Sequence, residues 1–293
     1  MNLSRSGALA LMCAAPVLWS TAGVVTRHVE RARSFELVFW RSFFAFLFVA
    51  LALLVLRRHP AKMGWPGVLS GSLWAVMFTA FMIALSLTST ANALVVMSVS
   101  PLLTTMLASL VLRDPVPFGS WIAAGAAALG IAWMFGSDLS AHSARDLTGM
   151  LIAAAIPIAA AINVVTLRAA AAQLDLRPAV MLGGVISCLM ALPFALPLQA
   201  TPKDMALLAF LGVFQLGLPC MLLVLASRVL LAPEIALLGL LEVVLGPLWA
   251  WLGAGEVPAR ATLTGGAIVL GALVLNELAT FRRTVAGRSS ATR

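Results

Sequence analysis

Residues 64–87, with the sequence GWPGVLSGSLWAVMFTAFMIALSL, contain no charged side chain. An α-helix needs about 20 mainly apolar residues to cross the hydrocarbon core of a bilayer. This stretch therefore predicts a membrane-spanning helix. Nine further runs, bounded by charges or by Pro, Gly and Ser clusters, have the same character, so we predict ten spans: 7–26, 35–56, 64–87, 91–112, 118–135, 147–167, 179–198, 205–225, 235–252 and 262–281.

The composition agrees with a protein that lies almost entirely in the membrane. The chain has 293 residues, of which 62% are hydrophobic and only 10% charged, and its mean hydropathy is +1.04. Soluble domains carry about 25% charged residues. Ten spans use about 200 residues and leave about 90 for all the loops and both ends. We therefore predict an all-α integral membrane protein, with a single membrane domain over 1–293.

The basic balance of the chain is interpreted as a topology pattern and not as nucleic-acid binding. The net charge is +8, but the 19 Lys and Arg residues lie between apolar runs and not on one face. With an internal N-terminus, twelve of them fall on the cytoplasmic side and six on the other. Because cytoplasmic loops are enriched in Lys and Arg, we predict an inner (cytoplasmic) membrane protein with both termini cytoplasmic. Arg27, Arg31 and Arg33 argue for the opposite orientation.

The cysteines and the first apolar run suggest no secreted or metal-binding protein. Cys13, Cys188 and Cys220 all lie inside apolar runs, and no C-x-x-C pair is present, so neither a disulfide framework nor a metal site is expected. The run 7–26 resembles a signal peptide but is long and lacks a clear A-x-A cleavage site. We interpret it as a retained first helix.

An internal repeat relates the two halves of the chain. A shift of 141 residues aligns Pro16 with Pro157 and Gly130 with Gly271, and it also aligns Arg27 with Arg168. The halves, 7–135 and 147–281, would each hold five helices. Because five is odd, the second half enters the membrane from the opposite side, which gives an inverted repeat and the geometry of alternating access. Chance matching of abundant Gly and Pro is the alternative.

Several short motifs occur along the chain: Leu18-Trp19-Ser20-Thr21, Arg41, Ala84-Leu85 ahead of Ala91, Pro101 ahead of Asp114, and Leu241-Glu242 ahead of Glu256. Together they resemble the drug/metabolite transporter superfamily, EamA type. This resemblance covers the whole chain and implies ten helices in two five-helix halves. Val243 departs from the family, whose members often have Pro there, and Pro247 follows four residues later. The start of the chain is similar to the exporters of aromatic and other neutral amino acids.

The chemistry of most enzyme classes is missing from the sequence. Lys62 and Lys203 are the only lysines and neither is part of a Walker A loop, so no ATP motor is expected. The aspartates and histidines all fall in loops or at helix ends, which leaves no zinc helix and no buried Ser-His pair. We therefore predict no enzyme, no metal and no cofactor.

Glu242 is a carboxylate near the middle of the ninth predicted span. An ionised carboxylate at that depth costs at least about 2.5 kcal/mol, so another group must solvate it. Three hypotheses remain open: it pairs with a substrate ammonium, it carries a proton and couples transport to it, or it is a structural carboxylate. Gly246 and Trp249 share its helix face and are expected to line the same cavity.

Other residues complete the candidate substrate site. Arg41 either snorkels to the interface or has a structural role, or it holds a charge partner across the bundle, which would be a substrate carboxylate or Glu242. The predicted substrate-binding residues are Trp19, Ser20, Trp74, Phe78, Asn163, Gln215, Glu242 and Trp249. Packing within the bundle is the alternative for the tryptophans and the amides. Hinges are predicted at Pro16, Pro101, Pro157 and Pro247, with static kinks as the alternative.

By resemblance, the predicted activity is export of neutral and aromatic amino acids or related metabolites by alternating access. The partners are a small-molecule substrate and the lipid bilayer, and no nucleic acid is expected. Export of small cationic or lipophilic drugs is the first alternative, since a desolvated cation over an aromatic face gains up to about 2 kcal/mol. A membrane scaffold without transport is the second. The oligomeric state is left open.

Overall fold

The computed structural model describes residues 3–26, 28–32, 34–57, 63–88, 93, 96–113, 116–135, 144–254 and 260–290. All the regular secondary structure among them is helical. The first half contains α1 (Arg5–Trp19), α2 (Ala22–Thr26), α3 (Ser34–Val55), α4 (Gly64–Leu87), α5 (Ser100–Val111) and α6 (Phe118–Phe135). The second contains α7 (Ala144–Ala170), α8 (Arg177–Ala195), α9 (Pro202–Phe210), a π-helical segment (Leu211–Gly217), α10 (Leu218–Ala226), α11 (Ala232–Gly239), α12 (Leu241–Ala254) and α13 (Arg260–Ser290).

Six helical segments of the described chain are long and apolar enough to cross a membrane: Arg5–Thr26, Phe35–Val55, Gly64–Leu87, Ala144–Ala170, Arg177–Ala195 and Pro202–Ala226. Ser100–Val111, Phe118–Trp133 and Leu263–Asn276 are shorter apolar helices. The all-helical membrane fold is thus confirmed, whereas the count of ten spans stays a prediction. The fourth predicted span begins among residues that are partly outside the described ranges, including Asn92.

Three spans predicted as continuous helices are interrupted. Between α1 and α2, the hydroxyls of Ser20 and Thr21 donate to the carbonyls of Val17 and Leu18, and such bonds compete with the helical ladder. Between α11 and α12, the amide of Leu240 donates to a carbonyl only three residues back. These two helix breaks have local causes in hydrogen bonding, which the apolar periodicity of the sequence does not reveal.

The third interruption is the π-helical segment Leu211–Gly217 inside the eighth predicted span. The amide of Leu218 donates to the carbonyl of Val213, five residues back. Pro219 follows and lacks the N–H that would close the next helical turn onto Gln215. Single π turns within α-helices are frequent at functional sites.

Small residues bring the helices of the two halves into close contact. An added Cβ at Gly71 of α4 would lie 2.7 Å from a side-chain methyl of Leu182 in α8, and one at Gly212 would lie 2.6 Å from the carbonyl oxygen of Arg41 in α3. Gly71 and Gly212 are 141 residues apart, as are Arg41 and Leu182. These two contacts are therefore equivalent under the shift that relates the halves.

Helix packing follows the same relation. Helix α3 packs on α8 and α6 packs on α13, and each of these pairs joins a helix to the one that holds the corresponding place in the other half. The packing of α4 on α7 likewise corresponds to that of α10 on α1. Division of the chain at 7–135 and 147–281 itself stays a prediction.

The outside of the bundle is apolar. Leu54, Trp65, Leu129, Phe194 and Leu275 are exposed large side chains on five different helices. Exposed apolar surface on this scale marks a face that meets an apolar partner, and the acyl chains of a bilayer supply one. The packed core lies inside, where α1, α4, α7 and α10 contribute buried residues to one cluster.

Buried carboxylates hold the helix ends together. Glu234, which is 1% exposed, accepts two hydrogen bonds from Arg5 at 2.8 and 3.1 Å and thereby joins the start of α11 to the start of α1. At the other end of the bundle, Asp204 accepts from the amides of Glu30, Arg31 and Thr201. Loop amides are thus paired through acidic side chains at the starts of helices, where negative charge is stabilised.

Candidate functional site

A cavity of about 180 Å³ lies in the interior of the bundle. It is lined by residues of α1, α3, α4, the start of α5, α7, the π-helical segment, α10, α11 and α12. Two of the helix interruptions lie at the cavity, because residues of the π-helical segment and of the break between α11 and α12 line it. Helices that are broken at midspan expose backbone and polar groups to a cavity, as in many transporters.

Most of the predicted site residues line this cavity: Trp19, Arg41, Trp74, Phe78, Asn163, Gln215, Glu242 and the hinge candidate Pro157. They come from six separate helical segments, and 223 residues separate the first from the last in sequence. The structure brings them together. Their role in substrate binding stays a prediction.

Arg41 points into the bundle and does not snorkel to the interface. Its side chain is 2% exposed. One terminal nitrogen donates to the carbonyl of Phe78 at 3.0 Å, and the other donates to Oε1 of Gln215 at 3.4 Å. Its Nε is buried without a hydrogen-bond partner among the described residues. The snorkelling hypothesis is therefore wrong, and a cation with a spare donor lies at the cavity wall.

Glu242 lies at the start of α12, two residues after the break at Leu240, and not in the middle of a helix. Its side chain is half-buried and lines the cavity. The first amides of a helix have no intrahelical acceptor, and the positive end of the helix dipole favours a carboxylate there. The interruption of the span thus places Glu242 at a helix start, where the helix dipole favours a carboxylate.

Aromatic and amide side chains complete the wall. The rings of Trp74 and Phe78 lie 5.6 Å apart, and Nε1 of Trp74 is buried with no partner among the described residues. Asn163 accepts a hydrogen bond from Ser70 at 2.6 Å. Gln215 donates to the carbonyl of Trp19 at 3.4 Å. Both amides therefore serve as contacts between helices while they also face the cavity.

Ser20 and Trp249 do not line the cavity. Instead, Nε1 of Trp249 donates to Oγ of Ser20 at 2.8 Å. This bond joins α12 to the break between α1 and α2. Sequence spacing alone placed Trp249 on the face of Glu242, but it did not reveal that the indole bonds to another helix.

The four predicted hinges lie in different settings. Pro16 and Pro157 are buried inside α1 and α7, and Pro101 is in the first turn of α5, where proline fits without a bend. Pro247 lies within α12, and its side chain is outside the described residues. Hinge motion stays a prediction for all four.

Several cavity residues were not singled out in the sequence. They are apolar and were indistinguishable from core residues: Met12, Met77, Phe81, Met97 and Cys220. Flexible methionines adapt to ligands of different shape. In the part of the chain that the structure describes, no group of three or more His, Cys, Asp or Glu could hold a metal ion.

Comparison with known proteins shows that the first half of the chain is similar to one family. The model of the EamA-like transporter family matches residues 6–136. No curated protein matches the chain. A solved structure titled only "Crystal structure of protein" is similar, with a TM-score of 0.83 and 19% identity over 95% of this chain and 99% of that chain. At this identity the similarity shows a shared fold. Over residues 6–136 the family match agrees with the EamA-type resemblance found in the sequence.

Proposed function

We propose, from the confirmed resemblance to EamA-like transporters, that this protein is an inner-membrane secondary transporter that exports neutral and aromatic amino acids or related metabolites. The observation that carries the proposal is the cavity that holds both Arg41 and Glu242 among aromatic walls. An amino acid has a carboxylate, an ammonium and a side chain. In the cavity, Arg41 is complementary to the carboxylate, Glu242 to the ammonium and the aromatic walls to the side chain.

The free donors favour a carboxylate at the Arg41 side. Nε of Arg41 and Nε1 of Trp74 are both buried without partners in the described chain, and both residues line the cavity. A buried donor without an acceptor costs about 1–3 kcal/mol, more when it is charged. A substrate carboxylate would satisfy these donors, and Glu242 would then take the ammonium.

Cavity size favours a single amino acid over a drug. Sites for drug-sized ligands are about 300–1,000 Å³, whereas this cavity is about 180 Å³. Charge favours the same choice, because a cationic drug would bring a second positive charge beside Arg41. Export of cationic or lipophilic drugs remains the alternative that Glu242 and the tryptophans support. A scaffold would need neither of the charged residues in the cavity.

Alternating access is supported by the equivalent packing of the two halves. The Gly71–Leu182 and Gly212–Arg41 contacts correspond under one shift, and so do Pro16 in α1 and Pro157 in α7. Two halves that exchange such equivalent contacts can open the central cavity to either side. The halves would be 7–135 and 147–281, with both termini cytoplasmic.

Uptake into proteoliposomes tests the proposal. We would measure labelled phenylalanine, threonine and methionine, with and without a pH gradient, in the native protein and in Glu242→Gln and Arg41→Met. Loss of one charge-assisted hydrogen bond, worth about 1.5–3 kcal/mol, raises KM about 10- to 150-fold. Glu30→Gln is the control, because Glu30 is exposed and lies outside the cavity.

Each result has a defined meaning. Saturable uptake that is weakened in both cavity variants and kept in the control supports an amino-acid transporter. Native kinetics in Glu242→Gln would assign Glu242 a structural role and remove the ammonium site. A lost response to the pH gradient in Glu242→Gln would identify proton coupling. No uptake of any amino acid by correctly inserted protein would favour the drug alternative.

A further inference from the structure

A second cavity, of about 320 Å³, lies at one end of the bundle, away from the central site. It is lined by Leu112, Arg168, Ala171, Ala172 and Arg228. Arg168 is in the last turn of α7, Arg228 is two residues beyond α10, and Leu112 directly follows α5. None of these residues takes part in the transport site.

The two arginines have donors to spare. Nη1 of Arg168 donates to the carbonyl of Arg228 at 3.4 Å, and Nη2 of Arg228 donates to the carbonyl of Leu174 at 3.1 Å. A guanidinium has five N–H groups, so most of them are uncommitted in the described chain. Neither arginine forms a salt bridge with a described residue. Two positive charges therefore line this cavity, and none of the described acidic residues forms a salt bridge with either of them.

A carboxylate nearby does not neutralise the pair. Asp175 hydrogen bonds through both of its oxygens to Arg177. Burial raises the pKa of Asp175, but the hydrogen bonds and charge of Arg177, together with the charge of Arg228, lower it below its ordinary value. Asp175 is thus ionised and within the field of Arg228, but it is committed to Arg177.

The cavity lies at the boundary of the membrane. Arg168 is two residues before the end of the span Ala144–Ala170, and Arg228 is two residues after the end of Pro202–Ala226. Both arginines therefore lie at the ends of candidate spans, where lipid headgroups are expected. Leu110 and Val111, in the last turn of α5, are exposed large apolar residues next to Leu112, so acyl chains have a surface to contact beside the cavity.

We propose that this cavity binds the phosphate of an anionic phospholipid through Arg168 and Arg228. Guanidinium groups form short, charge-assisted and often bidentate bonds to phosphate. Basic pockets between spanning helices at a membrane surface are suited to anionic headgroups. Residues from both halves line the site, because Leu112 belongs to the first half and the arginines to the second, so the bound lipid bridges the halves.

The test is the thermal stability of the purified protein in a neutral detergent, titrated separately with phosphatidylglycerol, phosphatidylcholine and inorganic phosphate. A ligand that binds the folded state raises the melting temperature with its concentration. We expect a saturable rise with phosphatidylglycerol and little change with the other two. Arg168→Gln and Arg228→Gln are each expected to weaken the response about tenfold or more, as for a charged hydrogen bond.

Arg145→Gln is the matched control, because Arg145 is exposed near the start of α7, at the opposite end of the helix from Arg168. Arg168→Lys keeps the charge but not the bidentate geometry. Its rise in melting temperature with phosphatidylglycerol is expected to lie between that of the native protein and that of Arg168→Gln. If inorganic phosphate raised the melting temperature as much as phosphatidylglycerol does, the cavity would be an anion site but its ligand would not be a lipid. An equal response to phosphatidylcholine, or an undiminished response in both Gln variants, would overturn the site itself.

Discussion

Replacement of Gly212 by alanine tests the close approach of the π-helical segment to α3. The added Cβ would lie 2.5 Å from Cβ of Phe44 and 2.6 Å from the carbonyl oxygen of Arg41. Both distances are far shorter than van der Waals contact, and neither Cβ of Phe44 nor the carbonyl oxygen of Arg41 is the free end of a flexible side chain. The backbone of α3 must therefore move away. Overpacking of this kind typically costs about 1–3 kcal/mol of stability.

Gly271→Ala is the control, because a Cβ at Gly271 of α13 would meet no atom within 4 Å. Alanine is favoured over glycine in a helix by about 1 kcal/mol. Since both variants make this gain, it cancels in their comparison. The difference between the two variants is thus the overpacking cost, about 1–3 kcal/mol.

Thermal unfolding in detergent measures the effect. For a protein of this size, about 1 kcal/mol corresponds to roughly 2–4 °C. We expect Gly212→Ala to melt several degrees below native protein and Gly271→Ala at or above it. Uptake by Gly212→Ala is expected to weaken as well, because Arg41 would be displaced from the cavity wall. An equal or higher melting temperature for Gly212→Ala than for Gly271→Ala would refute the close contact.

Two further changes address the ties between helices. Glu234→Gln keeps the size of the side chain but removes the charge that binds Arg5. We therefore expect the free energy of unfolding to fall by about 1.5–3 kcal/mol, measured as a lower melting temperature. Glu30→Gln breaks only an exposed ion pair and is expected to change the melting temperature little. Trp249→Phe removes the hydrogen bond to Ser20 and is expected to cost about 0.5–1.5 kcal/mol. Unchanged melting in Trp249→Phe would mean that this bond contributes nothing to stability.

Much of the fold follows from the sequence because the bilayer imposes strong rules. A spanning segment must satisfy its backbone internally, so a long apolar run becomes a helix. The predicted bounds 64–87 and 118–135 agree with α4 and α6. The EamA-type resemblance is confirmed over residues 6–136, which contain the motifs around Trp19 and Arg41 but not the one around Glu242.

The interruptions of the helices could not be predicted from apolar periodicity. The break at Ser20 depends on a hydrogen bond from its side chain to the backbone. At Leu240 and in the π-helical segment, a backbone amide donates to the carbonyl three or five residues back instead of four. Such changes leave hydropathy untouched. They decide the site nevertheless, because one of them places Glu242 at a helix start.

The sequence by itself determined that the chain is helical and has runs long and apolar enough to span a membrane, because these properties follow from composition and run length; its short motifs also carry the resemblance to EamA-type transporters. Only the tertiary structure decided which polar residues share a cavity. It brought Arg41 beside Gln215 and Phe78, placed Glu242 at the same cavity, and assigned Trp249 to Ser20 instead. The reason is physical: these contacts join residues far apart in the chain, and the close packing of helices at small residues sets their distances.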